Sequence, residues 1–125
     1  HLVSKVTATL KEGIKSYQVV EDTFPAGTLS GAPKHKALEL IEKYEKVNRN
    51  FYGGAIGFID FSVNFNHAII IRSFFSKNNI LNYQAGAGIV IDSDPEKELE
   101  EVQNKLGALD KALIEAELIK WKKYF

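Results

Sequence analysis

The chain has 125 residues, of which 45% are hydrophobic, and this length suits one domain with an apolar core. Its 16 basic and 16 acidic side chains cancel, which argues against a nucleic-acid partner because such proteins usually carry a basic surface. The chain lacks cysteine for a disulfide framework, and its apolar runs are too short to span a membrane. Composition therefore favours a cytoplasmic protein with no nucleic-acid or membrane partner.

Apolar spacing and chain breakers predict the first elements. Residues 2–10 predict a strand, and Ile14 to Val20 predict a short amphipathic segment. Two glycines and two prolines within 24–33 predict a shaped loop and argue against a helix there. Pro33 suits a helix start, and the apolar spacing from 37 to 44 predicts a helix of about three turns.

Four β-type runs follow, at 54–61, 67–75, 80–85 and 88–91. Asparagine-rich segments at 64–66 and 77–79 separate the first three at hairpin spacing, which predicts an antiparallel meander. The region from Pro95 to near Lys122 predicts one long helix. The expected fold class is α+β, with an antiparallel sheet and a long C-terminal helix. Because the sequence opens at His1 inside a predicted strand, we expect a partial domain of a longer protein.

The C-terminal helix carries the first chemical signal. Glu98, Glu101 and Lys105 share one arc of that helix, beside the apolar stripe. Two carboxylates three residues apart can bind Mg²⁺, and Lys105 can pair with an anionic ligand of that metal. The alternative is an ordinary surface Glu–Lys pair.

Arg72 is the second signal. Strand alternation is expected to place it on the same face as Ile70 and Phe74, where a guanidinium needs an anion. Its fork suits a carboxylate, which favours an anionic ligand. The alternatives are an internal ion pair, for example with Asp60, and a solvent-facing strand.

Several weaker candidates accompany these charged groups. The backbone at Gly86, Ala87 and Gly88 can approach an anion, although a tight turn is the alternative. Tyr52 can contact a ligand or pack in the core, and Thr28 can contact a ligand or its own backbone. His1 can act as a general base or simply begin the sequence. Together these residues favour a small anionic ligand held with a divalent metal.

Six segments, in order along the chain, resemble motifs of the chorismate-binding enzymes. The segments are His1–Val6, Phe24–Lys34, Tyr52–Gly57, Ala68–Ser73, Gln84–Val90 and Glu100–Lys105. Within that family the pattern is most similar to the large subunits (component I) of anthranilate synthases, with Thr28 in Pro-Ala-Gly-Thr as one distinguishing residue. Component I of aminodeoxychorismate synthase is the alternative.

The resemblance implies an α/β sandwich in which residues 1–125 form the C-terminal part of the catalytic domain. It implies a Mg²⁺-dependent lyase of tryptophan biosynthesis, which converts chorismate and ammonia into anthranilate and pyruvate. A glutamine amidotransferase subunit would supply the ammonia, and tryptophan would bind upstream as a feedback inhibitor.

The resemblance also implies a role for each candidate residue. Glu101 corresponds to a Mg²⁺ ligand, with Glu98 reaching the metal through water. The implied chorismate contacts are Tyr52 and Arg72 at the enolpyruvyl carboxylate, Lys105 near the ring carboxylate, and the backbone of Gly86, Ala87 and Gly88. The implied catalytic residues are Thr28, whose hydroxyl contacts the ligand, and His1, which assists pyruvate elimination.

The family's general-acid glutamate, its second Mg²⁺ glutamate and its tryptophan-binding motifs lie upstream of His1. We therefore expect the isolated 125-residue chain to be inactive, because half of the metal site is missing and strand edges lack partners. The alternative is a non-catalytic chain kept for folding or assembly, such as one piece of a split enzyme.

Overall fold

The computed structural model describes residues 3–119, which contain helices and antiparallel hairpins. The helices are α1 (Ser16–Thr23), α2 (Gly27–Ser30), α3 (Lys34–Tyr44) and α4 (Pro95–Leu118). The strands are β1 (Ala55–Ile59), β2 (Phe65–Ile69), β3 (Phe75–Lys77) and β4 (Ile80–Asn82). The α+β class, with antiparallel strands and a long C-terminal helix, is confirmed.

The four strands form two separate hairpins. β1 pairs with β2, with Ala55 opposite Ile69, and β3 pairs with β4, with Phe75 opposite Asn82. The predicted meander is wrong in one respect, because β2 and β3 do not pair and their predicted common run at 67–75 is interrupted. Arg72 lies in the interruption with a φ of 51°, a left-handed conformation that an extended strand does not contain.

The two hairpin turns differ in how well the sequence predicts them. Asn78 and Asn79 have φ of 53° and 60° and join β3 to β4, as predicted, in the manner of a two-residue hairpin turn. The turn before β2 lies at 60–64 rather than at 64–66, because Asp60 organises it. The Asp60 carboxylate accepts hydrogen bonds from the backbone N–H groups of Ser62 and Asn64, at 2.8 and 2.9 Å.

Two predicted strands are absent from the described residues. The segments 3–10 and 88–91 are irregular. The predicted run at 80–85 is a strand only over Ile80–Asn82. Val6 is 90% exposed and Ile91 is 98% exposed, so their apolar side chains meet no neighbouring element. A strand requires a hydrogen-bonding partner, and no described strand lies beside either segment.

The loop before α3 contains more helix than predicted. Residues 27–30 form the single turn α2, closed by a hydrogen bond from Gly31 N–H to the Gly27 carbonyl at 2.8 Å. Gly31 has a φ of 124°, and a Cβ there would lie 2.9 Å from that of Ala37. A larger residue is therefore excluded where the loop approaches α3. Pro33 caps α3, as predicted.

Asp94 begins α4 by accepting hydrogen bonds from the N–H groups of Glu96 and Lys97, at 3.1 and 3.0 Å. Pro95 occupies the first turn, where its missing N–H costs nothing. The helix then continues for 24 residues and ends at Leu118, before the predicted end near Lys122, which itself lies outside the described residues.

Burial within residues 3–119 is slight. Leu109 on α4 is the single buried apolar residue of this range, whereas Ile56 and Phe58 on β1 remain 67% and 68% exposed. These residues alone therefore do not enclose a conventional core. Among residues 3–119, none of the helices could span a membrane.

Candidate functional site

A cavity of about 350 Å³ lies among α2, the turn before β1, the segment after β2, the segment after β4, and α4. Five predicted ligand-contacting or catalytic residues line it: Thr28, Tyr52, Arg72, Gly86 and Lys105. The rest of the lining is Leu29, Ile69, Ile71, Gln84, Ala85 and Leu109. Residues from five separate stretches of the chain therefore meet at one concave surface.

Lys105 connects α4 to the segment after β4. Its ammonium donates a hydrogen bond to the Gly86 carbonyl oxygen at 2.9 Å and lies 2.5 Å from the Glu101 carboxylate. The Glu–Lys helix pair considered as the ordinary alternative is therefore present. The same ammonium also lines the cavity, so the pairing with Glu101 orients a cation at a candidate binding surface.

Tyr52 lies in a turn that is joined by backbone hydrogen bonds to Ile70, just after β2. Gly53 donates to the Ile70 carbonyl at 2.9 Å, and Ile70 donates to the Gly54 carbonyl at 2.8 Å. The Tyr52 hydroxyl reaches towards Gly86, where an added Cβ would lie 3.2 Å from the hydroxyl oxygen. The absence of a side chain at Gly86 therefore makes room for the phenol.

Arg72 lines the cavity from the segment between the two hairpins. The prediction that Arg72 lies on a strand, on the same face as Ile70 and Phe74, is wrong, because its backbone is left-handed and lies outside the described strands. The cavity wall thus includes two basic side chains, Arg72 and Lys105. A carboxylate-bearing ligand suits such a surface, because a guanidinium can bind a carboxylate through two parallel hydrogen bonds.

The Gly86–Gly88 segment is irregular rather than part of a strand. Gly86 lines the cavity, while Ala87 is half-buried and Gly88 is exposed just beyond the lining. The structure therefore brings one of these three predicted backbone contacts to the cavity.

Glu98 and Glu101 lie one turn apart on α4, outside the cavity lining. Glu98 accepts a hydrogen bond from the Ser93 hydroxyl at 2.7 Å, whereas Glu101 pairs with Lys105. Residues 3–119 contain no group of three or more acidic or histidine side chains placed to hold a metal. The two carboxylates fit Mg²⁺ chemically, because this ion commonly takes one or two protein carboxylates and completes its shell with water and ligand oxygens.

Arg49 is a residue that the sequence patterns did not single out. Its Nε and Nη2 donate to the two Glu45 carboxylate oxygens, at 2.8 and 2.5 Å, and its Nη1 donates to the Leu29 carbonyl at 2.5 Å. The hydrogen bonds to Glu45 raise the pKa of Arg49 above its ordinary value. The signal in the sequence that could have indicated Arg49 is its spacing of four residues from Glu45, just before Tyr52.

A larger cavity of about 600 Å³ adjoins the first and shares Tyr52, Ile69, Ile71 and Gln84 with it. Of the predicted site residues in the described range, Tyr52 alone lines this larger space. The smaller cavity is therefore the candidate site. His1, predicted as a general base, lies outside the described residues.

Residues 1–111 match the family described as chorismate binding enzyme. The chain belongs to this family. The predicted resemblance is thereby confirmed, and all six motif segments fall inside the matched region. The cavity and its basic side chains lie within the region that matches this family.

The chain is also similar to curated members of the family. It is 50% identical to anthranilate synthase component 1 of Neisseria gonorrhoeae over 112 residues, and 49% identical to that of Aquifex aeolicus over 117 residues. It is 47% identical to that of Mycobacterium tuberculosis over 119 residues. These alignments cover 90%, 94% and 95% of this chain, but only 23%, 24% and 23% of the relatives. The chain therefore spans about a quarter of their length.

Proposed function

We propose that this chain is the C-terminal portion of the catalytic domain of an anthranilate synthase component 1, and that the complete protein converts chorismate and ammonia into anthranilate and pyruvate. The observation that carries the proposal is the meeting of Thr28, Tyr52, Arg72, Gly86 and Lys105 at one cavity. The names of relatives about 50% identical support the choice of reaction.

Chorismate is a dicarboxylate, and the cavity offers a cation for each carboxylate. Arg72 and the Tyr52 hydroxyl would bind the enolpyruvyl carboxylate, and Lys105 would lie near the ring carboxylate. The Lys105 ammonium has three N–H donors, and the Gly86 carbonyl and Glu101 occupy two of them, which leaves one for the ligand. A volume of about 350 Å³ falls in the range of small-molecule pockets.

Glu101, with Glu98 acting through a water molecule, would hold the Mg²⁺ ion. When bound, the ion would neutralise charge on the ring carboxylate. The Ser93 hydroxyl and the Lys105 ammonium each hold one of the two carboxylates at one oxygen and leave the other oxygen for a metal or water.

The proposed reaction adds ammonia at C2 of chorismate with loss of the C4 hydroxyl, and a lyase step then eliminates pyruvate as a ring proton is removed. Thr28 would contact the ligand through its hydroxyl, and His1 would assist the elimination. A glutamine amidotransferase component would supply the ammonia. Tryptophan, a feedback inhibitor, would bind to a part of the complete protein that precedes His1 in sequence. The protein would act in the cytoplasm.

The test is an assay of the complete protein with chorismate, Mg²⁺ and ammonium, with the product identified by fluorescence and mass. Anthranilate formation is expected. Release of aminodeoxychorismate would instead support the alternative synthase, and no conversion of chorismate would contradict the proposal. Thr28→Ala should change product or rate, because the resemblance implies that the Thr28 hydroxyl in Pro-Ala-Gly-Thr is typical of anthranilate synthases. The 125-residue chain alone should form no product.

A further inference from the structure

Arg49, on the wall of the adjoining larger cavity, makes three contacts with other parts of the chain. Its guanidinium donates hydrogen bonds to both carboxylate oxygens of Glu45 at the end of α3. Its Nη1 donates to the Leu29 carbonyl oxygen at 2.5 Å. The guanidinium carbon also lies 5.7 Å from the centre of the Tyr52 ring, within the range of a cation–π contact. One side chain therefore joins α3, α2 and the Tyr52 turn.

Two of these connections end on the cavity wall. Leu29 and Tyr52 line the cavity, as does Thr28, which is adjacent to Leu29. Arg49 does not line this 350 Å³ cavity, although it lines the adjoining cavity of about 600 Å³, and its side chain is 26% exposed. It therefore has no direct contact with a ligand in that space and can act there only through the residues it holds.

We propose that Arg49 is a positioning residue, which sets the place of the Tyr52 phenol on the wall of the chorismate site while its contacts with Glu45 and Leu29 hold the guanidinium in place. The proposal deepens the proposed function and depends on it for its kinetic test. An arginine is required because its planar fork engages Glu45 with two nitrogens while a third faces Leu29. A lysine has one nitrogen and cannot make this set of contacts.

The kinetic test is Arg49→Lys in the complete protein, which keeps the charge and removes the fork. We expect the KM for chorismate to rise about tenfold while kcat changes less than about threefold, because a misplaced phenol weakens ground-state binding. Loss of folded protein alone would lower the active fraction and leave KM unchanged. An unchanged KM would overturn the proposal.

A double variant tests whether Arg49 acts through Tyr52. Tyr52→Phe removes the hydroxyl that Arg49 is proposed to place, so Arg49→Lys should add little to the KM of that variant. Fully additive effects would also overturn the proposal. Lys36→Gln is the matched control, because it breaks an exposed pair on α3, Lys36 to Glu39 at 2.7 Å, and should leave KM unchanged.

A second readout does not need turnover. 3-Fluorotyrosine placed at position 52 reports the surroundings of the ring through its ¹⁹F resonance, which should shift in Arg49→Lys and not in Lys36→Gln. An unmoved resonance would overturn the proposal. If the unaltered protein forms no anthranilate, the proposed function fails and this resonance still decides the role of Arg49. If Arg49→Lys does not fold, Glu45→Gln weakens the same contact and should shift the resonance in the same way.

Discussion

Lys105 and Gly86 are joined by a hydrogen bond of 2.9 Å between the lysine ammonium and the glycine carbonyl, across 19 residues of sequence. The same ammonium lies 2.5 Å from Glu101. One cation therefore connects the backbone of the proposed substrate site to a carboxylate of the proposed metal site. This arrangement makes the two sites interdependent, so a change at Lys105 should affect both.

Lys105→Met should raise the KM for chorismate by about tenfold or more, since a lost charge-assisted hydrogen bond typically costs about 1.5–3 kcal/mol. Steady-state kinetics of the complete protein measure the change. Lys111→Gln is the matched control, because it removes the same charge from α4 and breaks only the exposed pair with Glu115, at 3.9 Å. Equal KM values in the two variants would exclude Lys105 from the site.

Glu101→Gln should lower activity by about two orders of magnitude at limiting Mg²⁺, because an amide replaces an anionic oxygen ligand of a hard cation. The measurement is the rate of anthranilate formation as MgCl₂ is restored after EDTA treatment. Glu100→Gln removes the same charge from the neighbouring exposed position and should leave the Mg²⁺ dependence unchanged. A Glu101→Gln enzyme with the wild-type Mg²⁺ requirement would refute the metal role.

Arg72→Lys should raise the KM for chorismate by about tenfold, because the ammonium keeps the charge but cannot bind a carboxylate through two parallel hydrogen bonds. The far-ultraviolet circular dichroism spectrum and the melting temperature show whether the variant is folded. A folded variant with an unchanged KM would remove Arg72 from the substrate site.

Sequence patterns single out five residues that line one cavity, but they do not place all of these residues on the right elements. A guanidinium in an apolar run needs an anion, and on this ground the sequence indicates Arg72, which lines the cavity. Its placement on a strand was wrong, because the left-handed backbone at this residue has no signal in the apolar alternation. The start of α4 was predictable from Pro95, since that signal is local.

Features that depend on distant contacts were not predictable. The segments 3–10 and 88–91 have strand-like composition, but a strand also needs a partner, which composition does not specify. Arg49 was missed for the same reason, since its importance comes from contacts with Leu29 and Tyr52 that appear only in the folded chain.

Gly86→Ala should raise the KM for chorismate at least about threefold, because the new Cβ would lie 3.2 Å from the Tyr52 hydroxyl and displace it by a few tenths of an ångström. Gly107→Ala is the control, since a Cβ there meets no atom within 4 Å. That variant should keep the normal KM and gain about 0.5–1 kcal/mol of stability, as expected for alanine in a helix interior. An unchanged KM in Gly86→Ala would show that the phenol is not confined at this point.

The turn that joins β1 to β2 should respond to acid through Asp60. The Asn64 amide donates to this carboxylate at 3.0 Å, and together with the backbone donors it lowers the Asp60 pKa below its ordinary value of 3.8. Since the folded-state pKa is the lower one, the stabilisation is complete above the unfolded value and is lost as the pH falls through the folded value. Asn64→Ala should therefore raise the Asp60 pKa towards 3.8, which carboxyl ¹³C NMR of the complete protein can follow.

The same variant should leave α4 unchanged, because no residue of that helix takes part in this turn. Its acid-unfolding midpoint should move to higher pH, since the ionised Asp60 loses its side-chain donor while the backbone donors of Ser62 and Asn64 remain. An Asp60 titration curve identical in the two proteins would show that the backbone donors alone hold the carboxylate ionised. The turn would then owe its acid sensitivity to the main chain rather than to Asn64.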